Sequence, residues 1–354
     1  MNEYEVMVEA GISFHQRGEF EEANSCYQRA LALEPESNKA WHLCGRLAMD
    51  LGLLGEAESF IARAMELAPE CAEYVLTMGA VLAAEGKNEE AREFFNKALE
   101  LDPGLEEAYV GLSTTYLAER CFEQARALAE PMSCLGGAVG NRALAVVGEC
   151  AFNTEDLAGV FKWWKGHGAD LSGGMVLHVG CGRATLSSLP AVFQNGNWGE
   201  IRLDIDPAVK PDIIASVSEM SPVQSESAQA VYSCHNVEHL FHHEVPVALK
   251  EFHRALTPGG ALIIRTPDLQ LACQMVAQDR LYDTVYVSPA GPIAAIDMIY
   301  SYRGFLLDNN VFMLHKTGFT ATTLKAKLLE AGFRFAFVRR LGGELFAVAL
   351  KDKQ

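Results

Sequence analysis

The sequence predicts two domains in series. Residues 1–132 read as a solenoid of paired helices, and residues 142–354 as a mostly parallel sheet flanked by helices and finished by an antiparallel hairpin. Three observations carry this reading. Pro35, Pro69 and Pro103 recur every 34 residues, the length of a helix–turn–helix repeat. From Gly174 onward, apolar β-rich runs alternate with helical stretches, as in a parallel sheet covered on both faces. Near the end of the chain, RFAFVRRL and ELFAVALK are separated by Gly342-Gly343 alone. A two-residue loop permits only antiparallel pairing.

The repeat register is shared by Gly11, Gly45 and Gly79, by Ala23, Ala57 and Ala91, and by Ala30, Ala64 and Ala98. Small residues in these columns let paired helices cross closely, and Tyr27, Ile61 and Phe95 fill the gap between neighbouring pairs. Gly18, Gly52 and Gly86 mark the turn inside each repeat, and each proline closes one. A degenerate fourth unit, from about residue 106 to Pro131, keeps Tyr109, Leu112, Tyr116 and Ala125. Ser113 replaces the small glycine there and Arg120 the turn glycine, as suits a terminal cap. With Trp41 and Tyr109 in the first aromatic column, the array resembles tetratricopeptide repeats. The resemblance implies a protein or peptide partner held in a concave groove.

Charge is uneven. Residues 1–135 hold 10 Lys and Arg against 25 Asp and Glu, most of the chain's net −17. Such a surface repels phosphate backbones, so nucleic acid is not expected as a ligand. It is either a solvated helical surface or a platform for a basic partner, and it fits poorly with clamping a peptide carboxylate. The composition, 49% hydrophobic and 21% charged, is that of a globular protein. The acidic N-terminus does not read as a signal peptide. No apolar run approaches the roughly 20 residues of a membrane span. The nine cysteines contain no CxxC pair, which argues against a disulfide framework or a cysteine zinc site. A cytoplasmic location is expected.

Residues 133–141 read as a glycine-containing linker, and 142–166 as a helix anchored by Phe161, Trp163 and Trp164. Strands are expected at 175–180, 200–205, 212–217, 229–234, 260–266, 334–341 and 344–351. Helices are expected at 245–256 and 321–331, and residues 268–319 form an insertion too long for an ordinary connection.

VLHVGCGRAT, residues 176–185, reads as a strand entering a Gly-x-Gly turn and then a helix. Asp204 lies 22 residues after Gly182 at the end of the next strand, where a carboxylate can accept from two ribose hydroxyls. The further glycine of a pyrophosphate cradle is missing at Thr185, which favours a cofactor without phosphates. LHVGCG, RLDIDP, CHNVEHL and LTPGGALIIRTPDL follow in order. Over roughly residues 155–354 the chain resembles class I S-adenosylmethionine methyltransferases, whose fold is Rossmann-like. In detail it is similar to bacterial predicted methyltransferases, some from surface-polysaccharide gene clusters. The terminal antiparallel hairpin belongs to that version of the architecture rather than to the nicotinamide version. The resemblance implies S-adenosyl-L-methionine as cofactor. Gly180, Cys181 and Gly182 would border its methionine part, Asp204 and Ile205 the ribose, and Ser216 and Val217 the adenine. Cys234 would lie near the methyl end. His178 and Ser216 stand where many relatives carry acids.

SCHNVEHLFHHE packs His235, His239, His242 and His243 into nine residues after the fourth strand. Three readings compete. Glu238 and His239 fix the loop structurally; or His235 or His239 is a general base, an imidazole titrating near 6.5 being suited to that task; or the cluster binds zinc. For zinc the ligands are too close in sequence to converge without help from elsewhere, so no metal is assigned. His235, nearest the strand end, is the first choice of base, with His315 reaching in from the insertion. Tyr300 and Arg303 are the expected acceptor-binding residues if the insertion is a substrate lid rather than a structural excursion. The chain lacks an Asn/Asp-Pro-Pro-Tyr/Phe sequence after the fourth strand, which leans away from nucleobase and glutamine methylation. The function expected is methyl transfer to an oxygen or nitrogen of a sugar, natural product or protein, with the repeats recruiting a partner. The alternative is a scaffold whose methyltransferase-like domain is inactive.

Overall fold

The structure, a computed structural model, describes residues 2–154, 157–167, 171–288, 290–306 and 311–353. It divides into two compact units, Met1–Cys150 and Ala151–Gln354. Among the described residues no helix is long and apolar enough to cross a membrane.

The first unit is built from helix pairs: α1 (Glu3–Gln16) with α2 (Phe20–Leu33), α3 (Asn38–Asp50) with α4 (Leu54–Leu67), α5 (Ala72–Ala84) with α6 (Asn88–Leu101), and α7 (Glu106–Ala118) with α8 (Phe122–Ala129). The glycine columns have a direct steric cause. A Cβ on Gly11 would come within 2.5 Å of the Tyr27 ring, and one on Gly79 within 2.8 Å of Phe95. Tyr27, Ile61 and Phe95 are buried, so each has nowhere to retreat. The intra-repeat turns need a left-handed residue, and Gly18, Gly52 and Gly86 adopt φ of 76°, 76° and 81°. In the fourth unit Arg120 takes that conformation at φ 61°, at a cost that glycine avoids. Ser113, buried in the glycine column, returns its hydroxyl to the Val110 carbonyl at 2.8 Å.

The segment read as a linker holds a 3-10 turn, Pro131–Cys134, and the start of α9 (Gly137–Thr154). The two units divide within α9, between Cys150 and Ala151. α10 spans Leu157–His167.

The second unit carries β1 (Gly174–Val179), β2 (Trp198–Asp204), β3 (Ile213–Ile214), β4 (Ala228–Cys234), β5 (Leu256–Pro267), β6 (Thr284–Ser288), β7 (Gly291–Ala294), β8 (Phe335–Leu341) and β9 (Glu344–Leu350). Seven of these form one sheet in the order β3-β2-β1-β4-β5-β9-β8. β1 to β5 run parallel, and β9 is antiparallel to both β5 and β8. The β8–β9 turn is Gly342-Gly343 with φ of 59° and 100°, the positive-φ pair that a two-residue hairpin requires. β3 is shorter than expected. The Asp212 side chain takes the Arg202 backbone N–H at 2.8 Å, alongside backbone bonds from Asp212 N–H to the Arg202 carbonyl and from Ala215 N–H to the Asp204 carbonyl.

Alternation sorts the strand residues. Leu177, Val179, Leu203, Val231, Leu262, Ile264 and Ala347 join one core with Leu249 and Phe252 of α11 (Val245–Ala255) and Leu324 and Leu328 of α15 (Ala321–Glu330). On the other side, Trp163 and Trp164 pack edge-on against Phe335, with ring centroids 6.3 and 5.8 Å away. The Trp164 indole donates to the Gly259 carbonyl at 2.8 Å.

The insertion contains α12 (Leu269–Ala277), α13 (Ala295–Tyr300), α14 (Arg303–Leu306) and a hairpin of β6 and β7. Asp268 pairs with Phe319 in an isolated parallel bridge, so the two ends of the insertion meet. The hairpin was not expected from the sequence, because TVYVS and GPIA lack clean alternation.

Gly79→Leu should therefore lower the local stability of the α5–α6 pair by about 1–3 kcal/mol through overpacking against Phe95. Arg120→Gly should raise that of the fourth unit by about 1 kcal/mol. Hydrogen-exchange protection in α6 and α8 reads both, and equal protection in the Gly79→Leu chain would contradict the steric account.

Candidate functional site

The strand order reverses between β1 and β4, and ligands of open α/β sheets bind in the crevice beyond the carboxyl ends at that point. β1 leads into Gly180, at φ 60°, and Gly182, at φ 53°. A Cβ on Gly180 would press to 2.5 Å from Asn236, whereas one on Gly182 would meet nothing within 4 Å.

The α-helix expected after this turn is absent; two 3-10 turns, Leu186–Ser188 and Ala191–Phe193, connect to β2. Residues 183–197 contain Pro190, Gly196 and two consecutive serines, a composition that breaks helix rather than extending it. The loop's polar backbone is satisfied by side chains instead. Arg202 donates to the carbonyls of Gly182 (2.7 Å), Ala184 (3.0 Å) and Lys210 (2.9 Å). Glu200 accepts the Leu186 N–H at 2.7 Å and faces His178 Nδ1 at 2.8 Å. His178 is buried edge-on against Tyr232 and lines no part of the crevice. Burial pulls its pKa below the usual 6.5 despite Glu200. His178 thus supports the loop rather than the crevice wall.

The crevice is a cavity of about 380 Å³, within the range of roughly 300–1,000 Å³ common to small-molecule sites. It brings together Gly180, Gly182, Asp204, Ile205, Ser216, Val217, His235 and His239. Cys181 is buried and Cys234 half-buried; neither lines it. Asp204 accepts the N–H of Gly182 at 2.7 Å and of Asp206 at 2.9 Å, leaving each carboxylate oxygen one further lone pair. Ser216 pairs with the Ser218 hydroxyl at 2.9 Å. Asn236, beside Gly180, keeps a buried Nδ2 with no partner among the described residues. It was missed in the sequence, where an asparagine two residues past a strand carries no distinctive pattern.

His235 adopts φ 49°, and its two ring nitrogens face two carboxylates, Nδ1 to Glu238 at 3.2 Å and Nε2 to Glu344 at 2.8 Å. Glu344 also takes Arg265 Nε at 2.9 Å, and Glu238 takes the Thr266 hydroxyl at 3.0 Å. Burial opposes the charge on His235, but the bonds to Glu238 and Glu344 outweigh it and hold the pKa well above 6.5. Burial likewise pushes Glu238 upward, and the His235 bond reverses this, holding it at about 2. Both ring nitrogens of His235, the residue expected to be the base, are thus engaged by carboxylates.

A second cavity, of about 180 Å³, is lined by His235, His239, Tyr286, Met298, Tyr302 and His315, among others. His239, His235 and Met313 border both cavities. His239 Nδ1 lies 3.1 Å from the Leu314 carbonyl and His315 Nδ1 2.8 Å from that of Met298. A carbonyl can only accept, so both Nδ1 atoms carry a hydrogen, and in the neutral form of each ring Nε2 keeps a lone pair. Burial lowers the His315 pKa. Tyr300 and Arg303 do not line this cavity. Tyr300 is 60% exposed, and Arg303 is engaged by Asp297 at 2.8 Å. Tyr302 stands where Tyr300 was expected, because α13 ends at Tyr300 and the chain turns at Ser301, φ 103°.

Residues 177–264 match a family model described as a methyltransferase domain, and residues 14–80 and 82–133 match tetratricopeptide repeat models. The chain carries tetratricopeptide repeats and a methyltransferase domain. No curated protein matches it. Solved structures similar to it include MamA, 19% identical over 46% of this chain and 88% of that one, with a TM-score of 0.38. A thermophilic tetratricopeptide protein of Thermus thermophilus is 15% identical over 46% and 89%, at 0.41. The first tetratricopeptide domain of Spaghetti (RPAP3), bound to an HSP90 peptide, is 25% identical over 33% and 94%, at 0.32. The methyltransferase model covers β1 through most of β5 and thus both glycines, Asp204 and the post-β4 histidines.

The ion network of the methyltransferase domain fixes a pH dependence. Glu238 titrates below its usual 4.5, so its contribution to stability is complete above 4.5 and fades as the pH falls toward 2. His235 titrates above its usual 6.5, so its contribution is complete below 6.5 and is lost as the pH rises through the raised value. The stability difference between wild type and Glu344→Gln should peak between these limits and shrink on either side. Imidazole nitrogen NMR at pH 7.5 should find His235 carrying both protons; a single-proton signature would refute the assignment.

Proposed function

We propose that the methyltransferase domain transfers a methyl group from S-adenosylmethionine to an oxygen or nitrogen nucleophile held in the smaller cavity. The observation that carries this reading is the shared wall, His235, His239 and Met313, between a crevice with cofactor-type residues and a second cavity beside it. The crevice suits the cofactor. Asp204 has spare lone pairs for ribose hydroxyls, and Gly182 leaves open space where a side chain would stand. The half-exposed Ile205 offers an apolar face, and the orphan Asn236 amide can donate to a carboxylate. When bound, S-adenosylmethionine supplies an electrophilic methyl on sulfonium. The protein's tasks are then to align the acceptor and, for a hydroxyl, to take its proton. His239 and His315, each with a free Nε2 lone pair, are suited to the proton, and His235 is a positioning residue through its carboxylates.

Calorimetry should find S-adenosylmethionine or its demethylated product binding to the full chain. Asp204→Ala should weaken it by roughly 10–100-fold, the loss of a charged hydrogen bond of about 1.5–3 kcal/mol. His239→Gln should slow labelled methyl transfer while leaving that affinity unchanged. Binding of NADH without any response to S-adenosylmethionine would overturn the reading.

The repeats are proposed to recruit a protein or peptide partner. Their excess of Asp and Glu favours a basic segment, so association should weaken as salt rises, the Debye length contracting from about 10 Å at 0.1 M to about 3 Å at 1 M. A partner held equally well at both salt concentrations would rule out the electrostatic account.

A further inference from the structure

His239 and His315 have a third neighbour. Glu238, His239 and His315 each place a ligand atom within 4.8 Å of the other two. His239 closes the 3-10 turn Val237–His239 after β4, while His315 arrives from the insertion. Their ring centroids are 5.1 Å apart. Three donors about an ion with bonds of about 2.0–2.2 Å stand roughly 3.3–3.6 Å apart, so a movement of about 1 Å closes the set.

The surroundings are those of ligands rather than of unassigned histidines. Metal-binding imidazoles donate their other N–H to a carbonyl or carboxylate, which fixes the tautomer and ring direction. Both imidazoles do so here, to Leu314 and Met298. The carboxylate is oriented by the Thr266 hydroxyl, and it keeps lone pairs beyond those used by Thr266 and His235. The loop is fastened from the other side too, since Lys316 and Thr317 donate their N–H groups to the Glu238 carbonyl at 2.8 and 3.2 Å. His315 is thus held against His239 by backbone on both flanks. His239 and His315 line the smaller cavity, which leaves room for a ligand on the open side.

We propose that Glu238, His239 and His315 form a binding site for a divalent ion of the zinc, cobalt(II) or iron(II) class, with an open position toward the acceptor cavity. Two imidazoles and one carboxylate with a vacant position are the donor set of catalytic zinc and of open iron(II) sites. Its chemical role rests on the methyl-transfer reading and takes the place of proton removal by His239 or His315, whose lone pairs the ion occupies: the ion polarises an acceptor hydroxyl and eases loss of its proton to solvent. The site itself does not depend on that reading.

The full chain, stripped with chelator, is titrated with Co²⁺ and followed by visible absorption, with Zn²⁺ as competitor. One equivalent should bind, displaceable by zinc. His315→Ala and His239→Ala should each weaken binding by at least about 100-fold, while the exposed His243→Ala binds as wild type. Sub-stoichiometric binding, or wild-type affinity in folded His315→Ala and His239→Ala chains, overturns the proposal. Should either variant unfold, X-ray absorption on the zinc-loaded wild type decides: two imidazole scatterers support the site, none overturns it. The titration contains no S-adenosylmethionine, so failure of the cofactor reading and failure of the metal site are separately visible.

Discussion

The charged chain from Glu238 through His235 to Glu344 and Arg265 is the interaction on which the crevice end of the second unit depends. It joins the loop after β4 to the first residue of β9, 109 positions apart in sequence. Two largely buried carboxylates are held by His235 between them and by the Arg265 guanidinium flanking one of them. Removing one member of such a buried set strands the others, at a cost of about 3–5 kcal/mol. His235 accepts left-handed backbone to complete it. The hairpin at the chain's end therefore does more than terminate the sheet; it supplies the counter-charge that fixes the floor between the two cavities.

A comparable substitution of side chain for backbone order occurs at the glycine turn. Nucleotide-type folds usually place a helix N-terminus after it, contributing N–H groups and a dipole. Here the loop is a pair of 3-10 turns, and Arg202 and Glu200 tie its carbonyls and N–H groups to β2.

Much of this was legible in the sequence because it is written in local periods. The glycine at 79 and the phenylalanine at 95 lie in one repeat, so their steric pairing appears as a 34-residue column. The antiparallel pairing of the last two strands follows from the glycine pair at 342 and 343. Gly180, Gly182, Asp204, Ser216 and Val217 converge because each follows a strand end that could be counted. The state of His235 was not legible, since Glu344 lies in an apolar strand far away and marks itself only as an isolated charge. Tyr302 rather than Tyr300 lines the smaller cavity because of a turn at Ser301, a non-glycine residue with positive φ that composition does not announce. The meeting of His315 with His239 likewise depends on where an irregular segment re-enters, which periodicity cannot track.

The pairing of Asp268 with Phe319 gives the insertion the topology of a closed loop whose ends are held at adjacent points on the sheet. The entropy of closing such a loop grows only with the logarithm of its length, each doubling costing about 0.6 kcal/mol. The scaffold is thereby insulated from changes in what lies between those two residues. Lengthening, trimming or exchanging the segment would leave strand register intact while recasting the smaller cavity and the stretch of crevice wall formed by Phe312, Met313 and Lys316. The lining of the smaller cavity can thus diverge as a cassette, without renegotiating the fold that presents it.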